Sequence, residues 1–171
     1  DVFRSADGGL TWAQTGELPG VTAVRALIRK DGGAIMAGTS PDSCKWFRLF
    51  ESTDAGASWV RLGDAYNATG SVNCLFETSD GVLLAGGRHF SEERHAIVWV
   101  STDGGGSWAT HQLPVEDDNL TVGEITFFVQ TSDGTLWTGG WASFTGWSRR
   151  TTLLSARTAG AWPMRHGPGK R

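Results

Sequence analysis

A short motif that recurs along the chain limits its fold more than any other feature. Ser5-Ala6-Asp7-Gly8-Gly9-Leu10-Thr11-Trp12 returns as Ser52-Thr53-Asp54-Ala55-Gly56-Ala57-Ser58-Trp59 and as Ser101-Thr102-Asp103-Gly104-Gly105-Gly106-Ser107-Trp108. A worn fourth copy, Ser155-Ala156-Arg157-Thr158-Ala159-Gly160-Ala161-Trp162, keeps the Ser and the Trp but loses the Asp. The steps from Ser5 to Ser52, Ser101 and Ser155 are 47, 49 and 54 residues. A second landmark runs in phase with it: Asp31-Gly32, Asp80-Gly81 and Asp133-Gly134 each precede an apolar stretch ending in Gly. Two landmarks that share one period define a structural unit.

Each unit divides into four strand-like runs. In the middle unit they are 72–78, 82–86, 96–101 and 108–113, separated by turns rich in Gly, Asp and Ser. A continuously apolar run such as Val82-Leu83-Leu84-Ala85 suits a strand covered on both faces. No segment combines 3.6-residue periodicity with helix caps. Four strands in about 50 residues predict an all-β fold, a β-propeller blade repeated about three and a half times. The expected half-blade spans 1–18 and the blades span 21–63, 71–114 and 123–166, followed by a disordered tail at 167–171. Because propellers close with about four to eight blades, three and a half imply a fragment of a longer ring or a homodimer that completes one.

The motif reads as a tight turn. Gly accepts positive φ, while the Asp carboxylate and the Ser hydroxyl take up backbone N–H groups. The Trp then buries its indole, whose N–H seeks an acceptor nearby. The structural set is Ser5, Asp7, Gly9, Trp12; Ser52, Asp54, Gly56, Trp59; and Ser101, Asp103, Gly105, Trp108. This pattern resembles the Asp box, or BNR repeat, of the sialidase-like β-propeller superfamily. The resemblance covers nearly the whole chain. It implies a fold rather than one activity, since members include glycosidases, receptors and assembly factors. It also implies that the boxes lie on the rim away from the ligand, and it favours an extracytoplasmic or secreted location.

Connections alternate between the two ends of a blade, so binding chemistry is expected in the longer loops opposite the boxes. Asp64, Glu93 and Asp117 are the candidate catalytic carboxyl groups. Tyr66, Arg88, His89, Arg94, Trp141, Trp147 and Arg149 are the candidate ligand-binding residues. Aromatic faces stack on sugar rings and Arg grips carboxylates, which points to a glycan. Glycoside hydrolysis needs two placed carboxyl groups, or a Tyr nucleophile with an Arg cluster in a sialidase. The single Tyr lies in a Gly- and Asn-rich loop, and the Phe/Tyr-Arg-Ile-Pro segment typical of sialidases is absent. A complete active site is therefore not expected within this chain. The reading is a carbohydrate-directed module, with a non-catalytic protein-interaction scaffold as the alternative.

A net charge of -3 argues against a generic nucleic-acid binder. The longest aliphatic-aromatic run, Ala96 to Val100, is far too short for a membrane span. His89 and His95 lack metal-ligand spacing, so neither metal nor cofactor is expected. Cys44 and Cys74 are expected as free thiols, and Asn67 and Asn119 head glycosylation sequons relevant only to a eukaryotic secretory setting.

Overall fold

The computed structural model describes residues 1–40, 48–62, 70–89, 96–113, 120–144 and 149–156. These form antiparallel sheets without a helix. A two-stranded sheet pairs β1 (Phe3–Arg4) with β2 (Ala13–Gln14). The next holds β3 (Val24–Arg29), β4 (Ile35–Thr39), β5 (Leu49–Ser52) and β6 (Val60–Arg61) in sequence order. The third repeats the order with β7 (Gly70–Glu77), β8 (Leu83–His89), β9 (Ala96–Ser101) and β10 (Ala109–Gln112). The last contains β11 (Leu120–Gln130), β12 (Leu136–Phe144) and β13 (Arg149–Ala156). The worn box beyond Ala156, Trp162 and the C-terminal tail lie outside the described residues.

Neighbouring sheets stack face to face, and strand alternation explains the continuous apolar runs. Side chains point alternately to opposite faces. Leu83 and Ala85 therefore pack back on Met36 and Leu49 of the preceding sheet, together with Val72, Leu75, Trp99 and Trp108. Leu84, between them, packs forward with Val98, Val100, Ile125 and Leu136. A third cluster joins Val2 of the half-blade to Ala37, Phe50 and Trp59. Close approach demands glycine on the second strand. A Cβ added to Gly38 would lie 2.6 Å from Val72 Cγ1, and one on Gly86 would collide with Ile125 Cγ2 and Cys74 Sγ.

The boxes are built by local hydrogen bonds. In the third box Ser101 Oγ donates to Asp103 Oδ1 at 2.8 Å and accepts the Gly105 N–H at 2.9 Å. Asp103 also accepts the Ser107 N–H and hydroxyl, at 2.8 and 2.6 Å. The first two boxes repeat this scheme through Ser5, Asp7 and Thr11, and through Ser52, Asp54 and Ser58. Bonds from Ser58, then from Ser52, lower the Asp54 carboxyl from 3.8 to about 2. The matching bonds, led by Thr11 and Ser107, pull Asp7 and Asp103 well below the usual carboxylate range.

Two details depart from the sequence reading. The expected burial of the box Trp holds for Trp59 and Trp108, 8% and 6% exposed, but Trp12 is 63% exposed. Its turn is intact, with the indole N–H donating to Gly9 O at 3.0 Å, so the turn forms whether or not the indole is covered. The Asp-Gly turns are also offset in the first blade. Gly81 and Gly134, at φ +82° and +83°, donate to Thr78 O and Thr131 O at 2.9 Å; the residue that does this to Lys30 O is Gly33, not Gly32. Gly32 thus stands where Asp80 and Asp133 accept the Thr78 and Thr131 hydroxyls at 2.5 Å.

Trp108 donates its indole N–H to Gly105 O at 3.1 Å. Trp59 lacks this bond: Gly56 O accepts the Gly16 N–H at 2.9 Å, and the buried Trp59 Nε1 has no partner among the described residues. Trp108→Phe should therefore cost about 1 kcal/mol more than Trp59→Phe in urea denaturation, the worth of one hydrogen bond. The lowered Asp54 carboxyl contributes stability that is complete above its unfolded value of 3.8 and lost as pH falls through about 2. Ser58→Ala should move the Asp54 midpoint up toward 3.8 in a carboxylate NMR titration and shift acid unfolding to higher pH.

Candidate functional site at the end opposite the boxes

The boxes and Asp-Gly turns share one end of the sheets. Lys30, opening the first such turn, donates to Gly104 O of the next blade's box at 2.9 Å and pairs with Glu51 at 2.7 Å. Along the same rim Asp31 N–H donates to Glu77 Oε2 at 2.7 Å, and Ser79 N–H to Gln130 Oε1 at 2.8 Å. Antiparallel strands then bring the starts of β3, β7 and β11 and the ends of β4, β8 and β12 to the opposite end.

Near that end each innermost strand carries a bulge at the same position. The register shifts between Val24 and Ala26, between Val72 and Cys74, and between Ile125 and Phe127. The extra residues are Arg25, Asn73 and Thr126, each five positions before the residue that opens its turn (Lys30, Thr78, Thr131). A bulge adds a residue and re-aims its side chain out of the pleat. Arg25 bonds through Nε to Ser40 Oγ at the end of β4. Asn73 accepts the Ser71 hydroxyl at 3.2 Å and donates through Nδ2 to Glu124 Oε1 across the blade boundary. The half-buried Glu124 makes no second carboxylate bond among the described residues. Thr126 donates to Gly139 O at 3.3 Å.

Arg48 ties the first connection to this end through bonds from Nη1 to Gly20 O at 2.9 Å and Pro19 O at 3.4 Å. Cys74 is a free, buried thiol, and burial pushes it up to about 12, so it stays protonated and is no nucleophile.

Four expected loop residues lie instead on strands. Arg88 and His89 end β8, which runs three residues past Gly86, while Trp141 is within β12 and Arg149 opens β13. These hairpins continue their ladders past the Gly-Gly steps that had read as strand ends. Arg88 is the cross-strand partner of Ser71, and Trp141 of Glu124, so two of the expected residues adjoin the bulge cluster through the backbone. Asp64, Tyr66, Glu93, Arg94, Asp117 and Trp147 lie outside the described residues, as does Cys44. Sequence reasoning missed Arg25, Asn73, Glu124 and Thr126. The available signal was a polar residue interrupting an apolar run at constant distance from each turn.

No protein-family profile matches the chain. The chain is 26% identical over 190 residues to a sialidase of Micromonospora viridifaciens, covering 96% of this chain and 29% of that protein. A point mutant of the NanB sialidase from Streptococcus pneumoniae superposes with a TM-score of 0.65 at 16% identity, covering 88% of this chain and 25% of that one. A Dyadobacter fermentans protein of unknown function gives 0.63 at 17% identity, over 90% of this chain and 47% of that one. The Ruminococcus gnavus intramolecular trans-sialidase gives 0.55 at 18% identity, over 91% and 40%. The antiparallel sheets, packed face to face along the chain, have the fold of a partial β-propeller like those of these solved sialidases. The chain is thus similar to sialidase-like β-propellers, and it spans less than a third of the sialidase and at most about half of these solved chains. Among the described residues no helix is long and apolar enough to cross a membrane.

Removing the Asn73 amide strips Glu124 of its donor at the junction of two blades. Asn73→Ala should lower stability by about 1–2 kcal/mol in urea denaturation, and Glu124→Gln in the same background should recover part of the loss, because a neutral amide is less costly to leave unpaired.

Proposed function

We propose that this chain is the carbohydrate-directed part of a sialidase-like propeller and that its ligand lies at the end opposite the boxes. The observation that carries this reading is the set of three aligned bulges, which present Arg25, the Asn73–Glu124 pair and Thr126 toward one end of the innermost strands. Arg25 supplies a planar cation suited to a sugar carboxylate. Glu124, oriented by Asn73, has a second carboxylate oxygen with no partner among the described residues, and this oxygen would accept a sugar hydroxyl. The Ruminococcus gnavus relative was solved with oseltamivir carboxylate and a leech trans-sialidase with 2,7-anhydro-Neu5Ac, both consistent with an acidic sugar as the ligand class. The loop candidates Tyr66, Arg94, Trp147 and the carboxyl groups of Asp64, Glu93 and Asp117, which lie outside the described residues, are assigned to this ligand on their sequence positions alone.

A second reading, a protein-interaction scaffold, is favoured by exposed apolar residues on the outer sheets: Phe3, Trp12 and Leu27 at one end of the stack, Phe127 and Val129 at the other.

NMR titration with 3'-sialyllactose, xyloglucan oligosaccharides and neutral sugars separates the two. Sialoside shifts at Arg25, Asn73 and Glu124 are expected, with Arg25→Ala weakening binding about tenfold or more, equivalent to a lost charge-assisted hydrogen bond. Turnover abolished by changing Asp64, Glu93 or Asp117 would add catalysis to this role. Absence of shifts with every glycan would sink the carbohydrate reading and leave the scaffold.

A further inference from the structure

The three bulges differ in which strand of the hairpin carries the long side chain. Beside Arg25, Asn73 and Thr126 stand the second-strand residues Ser40, Arg88 and Trp141, opposite Ala23, Ser71 and Glu124 respectively. A long bulge residue with a short neighbour occurs in the β3–β4 hairpin, and the reverse holds in the other two. Ser40 is thus the small residue at its place in the repeat, and it adjoins the longest of the bulge residues.

Ser40 is firmly placed. It is buried, and its N–H donates to Ala23 O at 2.9 Å. Thr39 before it is also buried, and its hydroxyl donates to Arg48 O at 2.8 Å and accepts the Arg48 N–H at 2.9 Å. Arg25, by contrast, is exposed, and among the described residues it pairs with no carboxylate. Its Nε donates to Ser40 Oγ. A guanidinium carries five N–H donors in a rigid plane. The bond to Ser40 occupies the side edge that includes Nε and leaves the end edge, where the two terminal nitrogens lie side by side. Two parallel N–H groups on that edge match the two oxygens of a carboxylate. An exposed arginine loses rotamer freedom when it binds, and one tethered at Nε has already lost part of it. The Asn73–Glu124 pair is braced in the same manner. Buried Ser71 donates to Asn73 Oδ1 at 3.2 Å, which directs Nδ2 to Glu124 Oε1 and Ile125 O. A buried serine stands behind Arg25 and behind Glu124 alike.

We infer that Ser40 is a positioning residue, which holds Arg25 so that the carboxylate of an acidic sugar is taken end-on by the two terminal guanidinium nitrogens; this rests on the carbohydrate reading of the same end. Ser40 touches no ligand. Its effect reaches the ligand only through the orientation of Arg25, so it favours ligands that carry a carboxylate and is indifferent to neutral sugars.

The test first reads Arg25 without ligand. Proton exchange at Arg25 Nε–H, followed by NMR, should be about tenfold slower than at Arg29, which is exposed on the same strand. Ser40→Ala should bring Arg25 to the rate of Arg29. The same variant should weaken binding of 3'-sialyllactose about three- to tenfold, as expected for one hydrogen bond, and leave any response to lactose unchanged. Ser40→Thr, which keeps a hydroxyl, should restore both properties. The residue-40 amide, bonded to Ala23 O, should stay protected in Ser40→Ala. Arg25 exchange that Ser40→Ala leaves unchanged overturns the inference whatever the glycan result. So does faster exchange with undiminished sialyllactose affinity, and so does loss of protection at the residue-40 amide, which would make Ser40 an anchor of the strand end instead. A chain whose Arg25 exchange responds as expected, yet which binds 3'-sialyllactose no better than lactose, sinks the acidic-sugar reading itself and the inference with it.

Discussion

Everything else in this fold depends on the Asp carboxylate of each box, which holds its turn together without help from the rest of the molecule. Asp7, Asp54 and Asp103 each accept a hydroxyl and a backbone N–H from the residue four positions on and a hydroxyl from the Ser two positions back. The first box shows how independent that is: its hydrogen bonds are complete although its indole is mostly in water. A turn that forms from its own residues sets where the third strand ends and the fourth begins, and so fixes the register of each blade before blades meet.

Burial is the second and separate step. An indole of the box becomes part of the core only when the inner hairpin of its blade and the face of the preceding blade close over it, as happens at Trp59 and Trp108. Burial stabilises a blade more than its turn does, since removing a buried aromatic side chain typically costs about 3–5 kcal/mol, against about 1 kcal/mol for a turn hydrogen bond. Blades are thus specified locally and stabilised by their neighbours, the energetic pattern of a repeat protein in which each unit contacts only the next. The same logic makes the two outer sheets the sites where apolar surface remains.

The end opposite the boxes follows from that geometry. Because the turn end is crowded by Lys30, Glu77 and Gln130 bridging between blades, the innermost strands are pinned there and carry their irregularities toward the other end. The bulges that set out Arg25, Asn73 and Thr126 recur in three sheets at one height, which converts a repeat of sequence into an arc of polar groups. Asn73 and Glu124 also bond across a blade boundary, so part of this arc exists only once two blades are packed.

The period of the Ser-Asp-Gly-Trp motif determined by itself the all-β class, the four-strand unit and the position of the turns, because each of these depends on residues within about ten positions of one another. The same local character made the alternate facing of Leu83, Leu84 and Ala85 readable as a strand covered on both sides. The strands of Arg88, His89, Trp141 and Arg149 were not readable, since a Gly-Gly step looks like an ending unless the partner strand that continues the ladder is in view. The one-residue offset of the Asp31 turn was hidden in the same way, by a Gly-Gly pair in which only the hydrogen bonds choose the turning residue. Tertiary structure alone decided which indoles are buried, which polar residues the bulges expose, and that Asn73 meets Glu124, for these depend on the approach of segments some fifty residues apart that no local preference records.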